Sequence, residues 1–277
     1  MANMSDTTSP DAIRPDLLWL AGLPRRAGAA LSWLVPALLI ALWQVASSFG
    51  WLSESVMPSP LAVLAAGWRL TLSGELLGNI EVSFLRAMAG LAVGGGIGFA
   101  LGLANGVSRL SDRLTDSTLQ MIRNIPHLAL IPLVILWFGI EEESKLFLVA
   151  LGVFFPIYAN TLHGVRSVDP QLIEMAKSYG MSRLELFRRV ILPGALPSIF
   201  VGLRYALGVM WLTLIVAETI AAQSGIGYMA MQAREFMQID VVVLSILIYA
   251  LLGKLADLIT RALERTCLAW QPTYRKA

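Results

Sequence analysis

Long apolar runs, each near the length needed to cross a bilayer, are the feature that most limits how this chain can fold. Only 14% of its 277 residues are charged, whereas soluble domains carry roughly 25%. The mean hydropathy is +0.68. Because one helical crossing needs about 20 apolar residues, the chain has room for roughly six spans with short loops. The sequence therefore predicts an all-α protein that crosses the membrane several times.

The apolar runs place six spans and divide the chain into four parts. A polar N-terminal tail (1–30) is expected to be disordered; its length before the first apolar run argues against a signal peptide. Next come the first span and an amphipathic helix starting at Pro60 (31–79), a core (80–262) and a C-terminal tail (263–277). The predicted spans are residues 33–52, 84–107, 119–140, 146–163, 196–222 and 241–260.

Basic residues set the expected orientation, because loops rich in Lys and Arg stay in the cytoplasm. Both tails and the loops after spans 2 and 4 are basic, whereas the loop after span 3 is acidic and the loop after span 5 has one arginine. Both termini and the loop between spans 4 and 5 are therefore expected to be cytoplasmic. The basic residues are Arg14, Arg25, Arg26, Arg109, Arg113, Arg166, Lys177, Arg183, Arg188, Arg189, Arg261, Arg265, Arg275 and Lys276.

Glycine recurs at every fourth residue in span 2, at Gly94, Gly98, Gly102 and Gly106. On a helix this spacing forms one stripe, which lets a second helix approach closely. A nucleotide-binding glycine loop is disfavoured, because no strand precedes these residues and no Gly-Lys-Ser/Thr follows them. We therefore predict that the stripe serves helix packing.

Prolines and charges within the spans are the next clues. Prolines beside Arg123 and His127 predict a broken span 3, and Pro156 is expected to interrupt span 4. Arg204 and Glu218 lie on span 5, about 21 Å apart at 1.5 Å per residue, so they cannot pair with each other. Each is either structural, as an ion-pair partner or as a side chain that snorkels to the interface, or functional. In the functional interpretation, Arg204 or Arg123 guides an anion and Glu218 orders the outer gate.

The longest polar interval of the C-terminal two-thirds, residues 169–197, has the signals of two short helices. Asp169 is a favourable N-cap with proline after it, and Gly180 can end the first helix in a left-handed conformation. Ser182 and Glu185 form a capping-box pattern that starts the second helix. Pro193 and Pro197 are expected to limit that helix. A charged two-helix loop between spans suits docking of a soluble partner, although an amphipathic connector on the bilayer surface is the alternative.

This interval resembles the EAA loop of ABC-importer permeases, in which E-A-A is followed by glycine and then by I-x-L-P at fixed spacings. Met175 and Val190 are mild apolar departures from the pattern. The resemblance extends from residue 57 to 274 and is strongest to the permeases of nitrate, taurine and aliphatic-sulfonate importers, especially the last. It is carried by segments such as RNIPHLALIPLVILWFGI and WLTLIVAETIAAQSGIGYMAMQAREF. The loop residues that correspond to the family pattern or lie within it are Glu174, Ala176, Gly180, Leu184, Leu192 and Pro193.

The resemblance implies a type I ABC-importer permease fold, with six spans and the coupling loop between spans 4 and 5. It implies a homodimer in the bacterial inner membrane, two ATP-binding subunits that bind ATP and Mg, and a periplasmic solute-binding protein. The cargo would be an aliphatic sulfonate used as a sulfur source, with taurine or nitrate as alternatives. The pathway or gate candidates are Arg204, Glu218, Arg123 and His127.

Other classes find less support in the residues. There is no Walker A pattern and no nucleophile–base constellation, and the two histidines and single Cys267 have no metal-binding spacing. We therefore expect no catalytic residues, metal or cofactor in this chain, and its net charge of +2 gives no argument for nucleic-acid binding. A secondary transporter, which would show inverted repeats, and a membrane enzyme remain as alternatives.

Overall fold

All regular secondary structure in residues 25–270, the part of the chain that the computed structural model describes, is helical. Side chains are described from residue 34 onward. Predictions for residues 1–24 and 271–277 lie outside the described residues. The helices are α1 Arg25–Ser48, α2 Pro60–Leu72, α3 Glu75–Val107, α4 Arg109–Arg123, α5 Ile131–Phe138, α6 Glu142–Arg166, α7 Pro170–Ser178, α8 Arg183–Ala221, α9 Ile226–Glu235 and α10 Ile239–Cys267.

The chain divides into two compact units, residues 1–61 and residues 62–277. The first contains α1, which begins at Arg25, so residues 25–30 of the predicted tail are helical. The second contains almost all of α2 and every later helix. Helix α2 begins at Pro60, as predicted, because proline fits the first helical turn.

Helix α6 is the centre of the second unit and lies between α3 and α8. The glycine stripe of α3 faces it. A Cβ atom at Gly94 would overlap the backbone of Ala150, and one at Gly98 would lie 2.6 Å from the Phe154 carbonyl oxygen. Helix α8 is equally close, since a Cβ at Gly202 would lie 3.0 Å from the Pro156 carbonyl oxygen. Both interfaces therefore require glycine.

A hydrophobic core joins these helices to α2, α9 and α10. Ala66 of α2, Val153 of α6, Met210 of α8, Met229 of α9 and Tyr249 of α10 are all buried in it. The core thus fixes the positions of the polar side chains described below.

Four helices within residues 25–270 are long and apolar enough to cross a membrane: α3, α6, α8 and α10. A fifth crossing is possible if α4 and residues His127–Phe138 act as one span, but these two segments are bent by 79°. The part of α1 whose side chains are described, Leu34–Ser48, is apolar but shorter than these four helices. The six-span count therefore stays a prediction.

The predicted break in span 3 is confirmed, since α4 ends at Arg123 and a 3₁₀ turn, His127–Leu130, precedes α5. Two expectations about prolines are corrected by the structure. Pro156 does not interrupt α6, where neighbouring helices pack closely around it.

Pro193 and Pro197 also do not end the second helix of the polar interval, which continues to Ala221 as α8. A π-helical turn, Phe187–Ile191, lies just before Pro193. Such a turn shifts the backbone hydrogen-bonding pattern and lets the helix continue past residues that lack an N–H. A second π-helical turn occurs in α3, at Leu91–Gly95.

Candidate functional site

The helix starts predicted in the polar interval are present with the predicted caps, although only the first of the two helices is short. Asp169 accepts a hydrogen bond from the Gln171 backbone N–H at 2.8 Å and begins α7. Gly180 follows α7 with a φ of +76°, a left-handed conformation that glycine adopts without strain. Ser182 and Glu185 form the reciprocal capping box at the start of α8. Local capping chemistry therefore builds a defined elbow, which we call the coupling segment (residues 169–193).

The coupling segment exposes apolar side chains although it is otherwise polar. Tyr179 is 80% exposed, while Ala176, one turn earlier, is almost fully buried. Glu174 and Gly180 are also exposed, and Leu192 and Pro193 are partly buried. The exposed apolar side chains, which we call the coupling patch, are Leu172, Met175, Tyr179 and Leu184. Exposed basic residues are interspersed with them in the sequence, at Lys177, Arg183 and Arg188. An apolar patch with a charged rim is typical of an interaction surface.

Glu218 lies in a buried polar network at the other end of α8. Its carboxylate accepts hydrogen bonds from Ser83 Oγ and Arg86 Nη1 at 2.8 Å, and from Tyr249 Oη and the Gly227 backbone N–H at 2.9 Å. Four donors from α3, α9 and α10 thus satisfy one buried charge, as a buried carboxylate requires.

Arg86 extends this network to α6 and to the loop between α8 and α9. Its Nε and Nη2 atoms donate to the two carboxylate oxygens of Glu142 at 2.6 Å, a bidentate arrangement. Its Nη1 atom also donates to the Ser224 carbonyl oxygen at 2.6 Å. The network therefore ties together five helices, α3, α6, α8, α9 and α10, and we call it the Glu218 network.

Arg204 lies far from this network and pairs with acidic residues of α10. It contacts Glu264, which is buried, and lies 3.6 Å from Asp257. Lys254 and Arg261 also pair with Asp257, at 3.7 and 2.9 Å, as the spacing of these residues on one helix indicates. Arg204 and Glu218 thus have separate partners.

Arg123 and His127 border two adjoining cavities on one side of α6. The first, of about 260 Å³, lies between α4 and α6 and includes Arg123, His163 and Arg166 in its lining. The second, of about 170 Å³, is lined by Arg123 and His127 together with apolar residues of α6 and α8. The Nε2 atom of His127 lies 2.9 Å from Thr213 Oγ1. The structure therefore brings these two predicted residues together and keeps Arg204 and Glu218 apart from them.

Sequence reasoning missed Arg86, Ser83 and Tyr249, the partners of Glu218. The predicted second span began at residue 84, so Arg86 fell in its first turn and was given no role. Helix α3 in fact begins at Glu75, which places Arg86 well inside it. An arginine within an apolar helix was the available signal, since an intramembrane charge requires a partner.

Among the side chains of residues 34–270, no group of three or more His, Cys, Asp or Glu could hold a metal ion. What the geometry offers instead is a helical bundle with an exposed coupling patch, a polar network at the far end and cation-lined cavities between them. This arrangement suits a transport protein that works with a soluble partner.

Comparison with known proteins defines the class. Residues 94–267 match the family described as the binding-protein-dependent transport system inner membrane component. The chain belongs to this family and is a multi-pass membrane permease of the ABC-transporter type. It is similar in fold to the MetNI methionine ABC transporter, with a TM-score of 0.51 and 17% identity over 69% of this chain and 95% of that one. The fold is accordingly that of type I ABC-importer permeases.

Two curated relatives of known description share most of their length with this chain. It is 61% identical to the aliphatic sulfonates transport permease protein SsuC of Escherichia coli strain K12, over 87% of this chain and 92% of SsuC. It is 37% identical to the taurine transport system permease protein TauC of the same strain, over 92% of this chain and 94% of TauC.

Proposed function

We propose that this chain is the permease subunit of an ATP-driven importer that passes aliphatic sulfonates from the periplasm to the cytoplasm. The observation that carries the cargo is the difference in similarity to two permeases from one organism. Identity is 61% to the sulfonate permease and 37% to the taurine permease, over nearly the whole chain in both comparisons. Taurine itself contains a sulfonate group, so the nearer relative favours cargo with a plain alkyl chain.

The proposed assembly is a homodimer in the bacterial inner membrane with two ATP-binding subunits and a periplasmic solute-binding protein. Each copy would cross the membrane six times, with both termini and the coupling segment in the cytoplasm. The basic residues around the coupling patch support this orientation. ATP and Mg would be bound by the partner subunits, so this chain itself would hold no cofactor and catalyse no reaction.

The coupling segment is proposed to carry force from the ATP-binding subunits. Tyr179 and Leu184 of the coupling patch would be covered by the partner, with Glu174 as a polar anchor. Because α8 is continuous from Arg183 to Ala221, a shift at its start would reach the Glu218 network as a rigid-body movement. Closure of the ATP-binding subunits would thereby alternate the access of the pathway.

The cargo pathway is proposed to run past Arg123 and His127. These residues border adjoining cavities beside α6, and an anionic head group needs a cation or hydrogen-bond donors along its route. Arg204 has acidic partners on α10, which supports a structural role, and Glu218 would hold the outer ends of the helices together.

A growth test distinguishes the cargo candidates. The chain is expressed with its ATP-binding and solute-binding partners in a bacterium lacking its own sulfonate and taurine importers. We expect growth on ethanesulfonate as the only sulfur source, and no growth when Glu174 is changed to lysine. Growth on taurine but not on ethanesulfonate would identify taurine as the cargo. Uptake of nitrate but of neither sulfonate would identify nitrate.

Two other classes make opposite predictions in the same strain. A secondary transporter would support growth without the ATP-binding partner. A membrane enzyme would act without any partner and would depend on His127 or His163. Growth that requires the ATP-binding partner would exclude both.

A further inference from the structure

One face of α6 lines both cavities beside Arg123, and its character changes along the helix. The lining residues recur at helical spacing from Leu151 to Arg166, a distance of about 22 Å at 1.5 Å per residue. The full set on α6 is Leu151, Gly152, Phe155, Pro156, Tyr158, Ala159, Leu162, His163 and Arg166. The two cavities adjoin at Arg123 and Phe155, which line both. Together they form one track along α6.

The end of the track nearer the coupling segment is rich in hydrogen-bond donors. Arg123, Arg166 and His163 line it, with Gln120, and the one acid in its lining is Asp116. Asp112 is outside the lining but pairs with Arg166 at 2.6 Å, so the two carboxylates balance the two guanidinium groups. This end of the track, the 260 Å³ cavity, therefore attracts an oxyanion through hydrogen-bond donors rather than through a net charge.

Arg166 and Tyr158, at this end of the track, are held by hydrogen bonds or ion pairs and keep further hydrogen-bond donors free. Arg166 Nη2 lies 2.6 Å from Asp112 and 3.4 Å from the Asn105 carbonyl oxygen, while its Nε and Nη1 atoms have no hydrogen-bond partner within residues 34–270. The Tyr158 hydroxyl, on a buried side chain, accepts a hydrogen bond from Asn105 Nδ2 at 3.0 Å. Since a phenol oxygen both accepts and donates, its own proton remains available.

Arg123 is the least engaged cation of the track. It is the last residue of α4, is exposed, and has no acidic partner within 4 Å among the described side chains. Because it lies where the two cavities adjoin, one guanidinium can contact a ligand head group while the rest of that ligand occupies the other cavity.

The other end of the track is mostly apolar. Besides Arg123 and His127, the 170 Å³ cavity is lined by aliphatic and aromatic side chains: Ile122, Ile125, Leu130, Leu151, Phe155, Tyr205 and Val209, with Gly152 and Pro156. Such a surface favours hydrocarbon, at about 0.8 kcal/mol for each CH₂ group buried.

We infer that the track is a binding site for one amphiphilic anion, with its oxyanion head between Arg123 and Arg166 and its alkyl chain beside Leu151 and Val209. This inference deepens the proposed function and rests on it: the ligand is the cargo itself, an alkanesulfonate held head-first towards the coupling segment. The permease would then select chain length through its own apolar cavity.

Direct binding to the complex of permease and ATP-binding subunits in lipid nanodiscs, without the solute-binding protein, tests this inference. The probes are hexanesulfonate, ethanesulfonate and inorganic sulfate, with empty nanodiscs as the blank for partitioning into lipid. We expect saturable binding, roughly fourfold tighter for each methylene buried, with sulfate the weakest. Equal affinity for all three probes, or no binding by the wild-type complex, would overturn the inference.

Matched variants locate the site. Arg123→Gln should weaken alkanesulfonate binding by about tenfold or more, with Arg123→Lys in between, because lysine lacks the planar fork. Arg113→Gln, an exposed change on the same helix, should have no effect. Val209→Phe should reduce the preference for hexanesulfonate, whereas Leu212→Phe, on an exposed residue of α8, should not. Equal binding by the Arg123 and Arg113 variants would show that the sulfonate head group does not bind in this track.

Failure of this inference and failure of the proposed function give different results. Uptake of sulfonate that is unchanged by Arg123→Gln in an assembled complex would remove the site and leave the function intact. Absence of sulfonate uptake by the wild-type importer would remove the function, whatever the nanodiscs bind.

Discussion

Arg86 and Glu218 form a salt bridge between α3 and α8, with 2.8 Å between Nη1 and Oε1 and both side chains almost completely removed from solvent. Removing one partner of such a pair leaves a buried charge with too few partners, which costs about 3–5 kcal/mol. The pair therefore stabilises the relative position of the two helices that enclose α6.

Arg86→Gln or Glu218→Gln should each lower the thermal unfolding midpoint of the purified permease complex. The double variant should lose less than the two single losses together, because residues in one network couple by about 0.5–3 kcal/mol. Glu143→Gln, an exposed acid at the start of α6, serves as the control. Additive losses would show that the two side chains do not depend on each other.

Gly98→Ala should destabilise the bundle by about 1–3 kcal/mol through overpacking. The added Cβ would lie 2.6 Å from the Phe154 carbonyl oxygen, and backbone cannot move aside as a side chain can. Gly96→Ala, on the same helix, meets no atom within 4 Å and should be neutral or slightly stabilising. Thermal unfolding in detergent measures both changes, and equal midpoints would contradict close α3–α6 packing.

Glu174→Lys should weaken association with the ATP-binding subunits roughly tenfold or more, since it reverses a charge in the coupling segment. Gln171→Lys introduces a positive charge on the same exposed helix and should have a smaller effect. Co-purification and stimulated ATPase activity are the measurements. Should Glu174→Lys associate as well as Gln171→Lys, the docking role of this residue is wrong.

Arg204→Gln and Arg123→Gln should have opposite effects. The ion pairs of Arg204 are partly exposed, each worth at most about 1 kcal/mol, yet they neutralise the buried Glu264. We therefore expect Arg204→Gln to lower stability and to spare uptake per assembled complex, and Arg123→Gln to spare stability and to lower uptake. Exchanging the charges of Arg204 and Glu264 should restore stability. If Arg204→Gln instead lowered uptake and Arg123→Gln lowered stability, Arg204 would be the pathway residue.

Local signals in the sequence predicted the coupling segment well. Asp169, Gly180 and the Ser182–Glu185 pair act on backbone groups no more than a few residues away, so their effect is visible in the sequence. The helix start at Pro60 follows the same local rule.

Long-range packing decided the features that the sequence did not reveal. Arg86 and Glu218 are separated by 132 residues, and nothing local selects that pairing. Pro156 and Pro193 were expected to stop helices, but a close neighbour and a π-helical turn allow α6 and α8 to continue. The head-and-tail track also depends on how α4 lies beside α6, which no spacing within one helix predicts.

The most direct test of the central claim is ATP-dependent uptake by proteoliposomes that contain this chain with its ATP-binding and solute-binding partners. Labelled ethanesulfonate, taurine and nitrate are offered separately, with ATP and the solute-binding protein on their proper sides. The account predicts accumulation of ethanesulfonate that requires ATP and is lost with Glu174→Lys. An assembled complex that accumulates only taurine or nitrate would contradict the cargo, and one that accumulates none of the three would contradict the proposed transport function.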